Sequence, residues 1–487
     1  MRLTQNINRG RIDRRCAFFF STLLALSGIH SSATAQNEYE KIIPEKTDTS
    51  IVRYVKTGPF KNNMIVYTRY QNVSCFHMFS NGSETTKDLY LYSTYISDFI
   101  IKDSMNVYFC GYSIENDEKK SLIGSFSLTG FPRCLVALSN LDGFAEFKRI
   151  ESYYIRHNTR KEDHFVMIAN TTNNLSTLID GYKTPDDKWQ FFYLTPQQEH
   201  IKGYTFNDIT VTNDYLVASS SPQKTQKANA YLWLFTLPNS TNTPILSTNI
   251  FEKSIQRVKY LGGSKLHVEA LRNGFFATLY TTDSIIKQDN PFFYQMDIFH
   301  RNQHLYEYRI SYQDNLLPND PYTNVSHRVF DAKVCHGRQL IIGFTPNPNT
   351  IFPRPLATET KFMAFGPSIL YDGNLLDFSG NARVFQDVHL TSFSQFDFDY
   401  SDPDCYCIVT DSDHSNAYLH LHKIKLGSYF SSACHSDGGK GIHLQKPHKV
   451  KTFSVLKLGI SIASSYNRHY FQTSVPSSVI ERICETE

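Results

Sequence analysis

The stretch ISDFIIKDSMNVYFCGY occupies residues 96–112. An Asp precedes a short apolar run, a polar turn follows, and a second apolar run ends in Cys-Gly. Short runs of β-branched and aromatic residues separated by turn formers read as paired strands. Either Asp98 and Cys110 belong to a site or they belong to a scaffold, and the rest of the chain decides between the two. Asp208 heads DITV before LVA at 216–218. Asp331 heads DAKV before LIIG at 340–343, and Asp397 heads DFDY before CYCIV at 405–409. Weaker copies without the Asp begin near Val52, Tyr153 and His267. A third strand often follows, as at 122–126 and 231–235. The Asp is kept while the Cys is dropped. Asp98 therefore reads as a turn-anchoring residue with a repeated job, and Cys110 as a small core hydrophobe.

The copies start near 52, 98, 153, 208, 267, 331 and 397, roughly 46 to 66 residues apart. Each interval has room for four short antiparallel strands, close to the ~40–50 residues of a propeller blade plus loop insertions. A single four-stranded sheet cannot bury both faces; several stacked radially can. The expected fold is all-β, a β-propeller of seven four-stranded antiparallel blades spanning 36–487. Tandem β-sandwich domains are the alternative. The segment 427–487 is expected to close the structure; Gly438-Gly439 within it marks an exposed loop, and the prolines of 346–355 mark another. Composition agrees with strands: 30 Tyr and 36 Phe stand against only 2 Trp, and long period-3.6 patterning is missing.

Residues 1–35 have the layout of a secretory signal peptide. Five Arg lie in the first 15 positions, 17–26 (AFFFSTLLAL) is a short apolar core, and 31–35 (SSATA) offers small residues for cleavage between Ala35 and Gln36. The apolar core is short of the ~20 residues that span a bilayer, and no later segment reaches that length. Leaving out these 35 residues removes 5 of 49 basic and 1 of 46 acidic groups, so the mature chain carries 44 basic against 45 acidic. That balance gives no global field for nucleic acid or anionic membrane, so no nucleic-acid partner and no transmembrane segment are expected. Localisation follows as periplasmic, outer-surface or extracellular.

The chemical signatures are sparse. The mature chain holds Cys75, Cys110, Cys134, Cys335, Cys405, Cys407, Cys434 and Cys484, an even count that export permits to pair. Cys434–Cys484 is the expected bridge, while Cys110 and Cys335 read as core thiols. His420 and His422 share one face of a strand, with Cys434 and His435 nearby, but the spacing matches no zinc signature. Asp402, Asp404, Asp411 and Asp413 lack the Gly and closing Glu of a calcium loop and read as solvated turns. Sequons at Asn72, Asn81, Asn170, Asn174, Asn239 and Asn324 matter only in a eukaryotic secretory pathway. No G-x-S-x-G, H-E-x-x-H, P-loop or G-x-G-x-x-G occurs. Catalytic and cofactor-binding residues are accordingly expected to be none, and the metal content is left open.

The unit DFIIKDSMNVYFCGYS…SLIGSFSLTGF, residues 98–131, resembles a phrase of uncharacterised exported proteins of Bacteroidota. That resemblance implies an exported, propeller-like repeat protein and carries no activity with it. The functional expectation is a non-catalytic binding or interaction protein with a protein or glycan partner. A glycan-active hydrolase or lyase and a structural cell-envelope component are the alternatives.

Overall fold

The computed structural model describes residues between Tyr39 and Ser474, leaving several connecting loops outside. Beyond His300 it describes strand backbone together with the side chains of Lys333 and Asp397. Ala35 and Gln36 lie outside the described residues, as do Cys434, His435 and Cys484.

The described chain is all-β, with one 3-10 turn at Ile250–Glu252. Its strands form seven small antiparallel sheets, none of which closes on itself. Sheet 1 is β2 (Thr49–Tyr54), β3 (Met64–Tyr70), β4 (Val73–Phe79) and β5 (Thr86–Tyr92). Sheet 2 is β6 (Thr94–Lys102), β7 (Asn106–Glu115), β8 (Glu118–Ser127) and β9 (Cys134–Leu138). Sheet 3 is β10 (Phe144–His157), β11 (Arg160–Thr171), β12 (Ser176–Lys183) and β13 (Trp189–Tyr193). Sheet 4 is β14 (Tyr204–Val211), β15 (Tyr215–Pro222), β16 (Ala230–Thr236) and β17 (Ile255–Tyr260). Sheet 5 is β18 (Gly263–Ala270), β19 (Phe275–Thr282), β20 (Phe293–His300) and β21 (Gln303–Tyr312). Sheet 6 is β22 (His327–Cys335), β23 (Gln339–Pro346), β24 (Thr360–Phe365) and β25 (Val384–Asp387). Sheet 7 is β26 (Phe393–Asp399), β27 (Tyr406–Asp413) and β28 (Tyr418–Lys425), with β1 (Tyr39–Ile43) paired onto β28.

The seven starts read from the sequence fall at Val52, Asp98, Tyr153, Asp208, His267, Asp331 and Asp397. Each lies within the first strand of one sheet. These first strands neighbour one another in chain order, β2 to β6 to β10 to β14 to β18 to β22 to β26, and β26 adjoins β2. The fourth strand of sheet 7 comes from the N-terminal end. Short strands near the C-terminus add instead to the far edges of other sheets, in reverse order. Ile442–Leu444 pairs with β21, Leu456–Leu458 with β17, Tyr466–Asn467 with β13 and Gln472–Ser474 with β9.

The core lies between sheets. Phe76, Phe99, Phe109 and Phe126 join sheets 1 and 2 into one apolar cluster, with Phe76 edge-on to Phe99 at 5.4 Å. Cys110 and Ile123 face the opposite way and pack with Phe147, Phe165 and Met167 of sheet 3. Trp233 and Phe206 of sheet 4 join Ile155, Val166 and Leu178 of sheet 3. Strand alternation thus sends successive side chains into two different inter-sheet layers. Cys110 is a wholly buried free thiol, and burial pushes its proton affinity well up. Gly111 beside it has a backbone reason: a Cβ there would run into the carbonyl oxygen of Tyr95, at the bulge of β6.

Candidate functional site: a charged cavity among the first strands

Several first strands carry a register shift near the repeated Asp. In β6 it lies between Ile96 and Asp98, in β14 between Phe206 and Asp208, and in β22 between Val329 and Asp331. A bulge adds one unpaired residue and re-aims the next side chain. Asp98 Oδ1 accepts from the Phe99 amide at 2.9 Å, and Oδ2 from the Ile150 amide of sheet 3 at 3.3 Å. Asp208 repeats the arrangement, accepting from Ile209 N at 3.1 Å and from Val268 N of sheet 5 at 3.2 Å. Asp397 Oδ2 accepts from Tyr54 N of sheet 1 at 2.9 Å. The repeated Asp therefore anchors the next sheet's first strand rather than a turn. Amide donors on a buried carboxylate are charge-assisted and stronger than neutral pairs.

Basic side chains complete the tier. Arg53 Nη2 lies 3.0 Å from Asp98 Oδ1. Arg149 spans two sheets, with Nη1 3.5 Å from Asp98 Oδ2 and Nη2 3.0 Å from Asp208 Oδ1. His267 Nδ1 stands 3.5 Å from Asp208 Oδ2. Burial pushes the Asp208 carboxyl up, but Arg149, His267 and the Val268 amide outweigh it and hold the acid well below the usual carboxylate range.

These side chains line a cavity of about 540 Å³. Every one of the seven sheets contributes to its wall, through Arg53, Asp98, Glu151, Asp208, Glu269, Lys333 and Asp397 among others. Lys56, Thr57, Asp103 and Ser104 line it from the turns after β2 and β6, where the Thr57 and Ser104 hydroxyls are hydrogen-bonded. Glu151 differs from the tier carboxylates. Burial, then repulsion from Asp98 and Glu269, raises its pKa from 4.5 to about 7, against the pull of Lys333 and Arg149. A carboxyl that exchanges its proton near neutrality inside a cavity is equipped to donate or accept a proton, or to bind a ligand in a pH-dependent way.

Two further polar clusters sit within sheets. In sheet 1, Thr68 Oγ1 meets His77 Nε2 at 2.9 Å, and His77 Nδ1 meets Asp88 Oδ1 at 2.9 Å. The order is that of a nucleophile–base–acid relay. Thr68 is only 3% exposed and does not line the cavity, so no substrate reaches its hydroxyl. In sheet 3, Tyr153 Oη donates to Asp180 Oδ2 at 2.7 Å, and His164 Nδ1 lies 3.1 Å from the same oxygen. Burial lowers the His164 pKa, yet Asp180 and Glu162 outweigh it and raise it to about 9.

Of the sequence candidates, Asp98, Asp208 and Asp397 meet at the cavity. The side chain of Asp331 lies outside the described residues. His420 and His422 sit on β28, opposite Asp411 and Val409 on one side and Ile42 and Glu40 on the other, so that strand is paired on both edges. Asp411 and Asp413 belong to β27 rather than to a turn, and Asp402 and Asp404 lie outside the described residues. Sequence reading missed Arg53, Arg149 and His267, and also Glu151, Glu269 and Lys333. Aligning the repeats on position instead of on the Asp finds the first three, since a basic residue stands where sheets 2, 4 and 7 have Asp. No family model and no curated protein matches the chain. A solved structure of an uncharacterised protein from Listeria monocytogenes is similar over 81% of this chain and 98% of its own, at 11% identity and a TM-score of 0.34. No helix among the described residues is long and apolar enough to cross a membrane.

Proposed function

We propose that this chain is an exported binding protein built as a seven-bladed β-propeller, taking a polar ligand of glycan type into its central cavity. The observation that carries the reading is the cavity itself, walled by one first strand from each of seven sheets. The cycle of neighbouring first strands and the pairing of β1 with β28 support the propeller. Such pairing lets the two ends of a repeat chain share one blade and leaves only short edges. At about 540 Å³ the cavity falls within the range of small-ligand sites. Its wall is rich in charged and hydroxyl groups, which suits a polyhydroxylated ligand better than an apolar one. Asp98 and Asp208 are held by basic side chains and amides, while Glu151, Glu269 and Lys333 also line the wall and give it charge with which to recognise such a ligand. The leader-like residues 1–35 and the likeness of 98–131 to exported Bacteroidota proteins support export.

The test is a glycan array probed with the mature chain, followed by calorimetry on each hit with wild type and Glu151→Gln. Saturable binding that weakens at least tenfold in the variant supports the reading. Binding that is unaffected by Glu151→Gln and by Lys333→Met places the ligand elsewhere and refutes it. A second reading, a glycan-active hydrolase or lyase, is favoured by the proton affinity of Glu151 beside Glu269. Turnover of any array hit, abolished in Glu151→Gln, would establish it; bound glycans recovered intact would exclude it.

A further inference from the structure

We propose that Cys75, His77 and Asp88 form a divalent metal site of zinc type in sheet 1, independent of the central cavity. Cys75 and His77 stand at i and i+2 on β4, so they share one face. Asp88 lies directly opposite His77 on β5. Cys75 Sγ, His77 Nδ1 and an Asp88 oxygen all fall within 4.8 Å of one another. Sγ is 3.7 Å from Nδ1, and Nδ1 is 2.9 Å from Oδ1.

One imidazole nitrogen thus faces a sulfur and a carboxylate together. A single N–H proton can point at one of them; a cation serves both. With Zn–S near 2.3 Å and Zn–N or Zn–O near 2.0–2.2 Å, tetrahedral ligand atoms stand about 3.4–3.6 Å apart. The sulfur–nitrogen separation already matches, and the nitrogen–oxygen separation needs to open by about 0.5 Å once the proton leaves. The far ring nitrogen is held by Thr68 Oγ1 at 2.9 Å, with Thr68 and His77 only 3% and 4% exposed. Metal-ligating histidines characteristically give their second N–H to such a partner, which fixes the ring. Thiolate plus carboxylate also neutralises a divalent ion, which a buried site requires. Asp88, 11% exposed, provides the side from which an ion and a fourth, water ligand enter. The ligand set of one sulfur, one nitrogen and one oxygen favours zinc over magnesium or calcium, which take oxygen ligands.

The experiment uses the full mature chain, stripped with chelator and titrated with cobalt(II), whose thiolate complexes absorb in the near ultraviolet. Expected are one equivalent bound with that absorption, its loss on adding zinc, and its disappearance in Cys75→Ser with unchanged far-ultraviolet circular dichroism. Absorption that is missing at saturating cobalt, or undiminished in a folded Cys75→Ser, overturns the site. Should Cys75→Ser fail to fold, Asp88→Asn decides: zinc affinity at least tenfold weaker supports the site, and unchanged affinity overturns it. A protein that binds no zinc, but in which Asp88→Asn lowers stability, identifies the cluster as a hydrogen-bonded relay and also overturns it.

Discussion

Replacing Glu151 with Gln should make the protein more stable, and only above a definite pH. Glu151 holds its proton up to about pH 7 in the folded chain, against 4.5 for the free side chain. Between those values the folded state binds more protons than the unfolded one. Stability therefore falls as pH rises from about 4.5 to about 7, then stays level with the full penalty present. A shift of about 2.5 units at 1.36 kcal/mol each gives roughly 3 kcal/mol as an upper bound. The side chain keeps partial contact with solvent in the cavity, so about 1–3 kcal/mol is the expected gain. Gln preserves shape and removes the charge that Asp98 and Glu269 repel. Guanidinium unfolding followed by far-ultraviolet circular dichroism at pH 8.0 and pH 4.5 reads the effect as a shift in midpoint at constant slope. The variant should be stabilised at pH 8.0 and match wild type at pH 4.5. Equal stability at both values, or a variant weaker at pH 8.0, would refute the account of the cavity. A stabilising change at a cavity residue is also the signature of a position kept for function rather than for folding.

Arg149→Met should cost about 2–4 kcal/mol near neutrality, because it leaves two buried carboxylates with one cation fewer. The loss should shrink in acid: without Arg149 the Asp208 carboxyl gains its proton at higher pH, so denaturation curves of variant and wild type converge as pH falls. His164, raised to about 9, contributes stability that is complete below its unfolded value of about 6.5 and is lost as pH rises through about 9. Asp180→Asn should flatten that alkaline decline, measured by unfolding midpoints from pH 6 to pH 9.5; a decline that persists unchanged assigns it to another group. Gly111→Ala should destabilise by about 1–3 kcal/mol, since its methyl meets the Tyr95 carbonyl at a bulge that cannot retreat. A variant with unchanged midpoint would show that the bulge relaxes freely.

The seven first strands were legible because each couples an apolar run to a turn at a recurring interval, and Asp98, Asp208, Asp331 and Asp397 mark four of them. The job of the Asp was not legible. Its amide partner lies 52 residues on for Asp98 and 60 for Asp208, in the next sheet, where no local pattern points to it. The reading of a turn anchor rested on local chemistry, and the bulge defeats it by turning the carboxylate across the sheet boundary. The sheet edges that the C-terminal strands join were illegible for another reason. Pieces such as Tyr466–Asn467 have two or three residues and borrow their register from the edge they join. Cys75, His77 and Asp88 escaped because the cluster spans two strands, and neither half has a metal spacing by itself.

The tier of charges also shows how a repeat chain can make unlike neighbours from like units. Tyr54, Ile150 and Val268, whose amides bind the preceding sheet's Asp, follow Arg53, Arg149 and His267 in sequence. Sheets 1, 3 and 5 thus place a basic side chain where sheets 2, 4 and 7 place an Asp. Asp98 and Asp208 each meet a basic side chain on the neighbouring sheets, an attraction worth more in a buried tier than at a surface. Seven is odd, so strict alternation has to fail once. It fails between sheets 6 and 7, where Asp331 and Asp397 stand at successive turns of the pattern. Lys333, two residues beyond Asp331 and lining the cavity, supplies a positive group on that side.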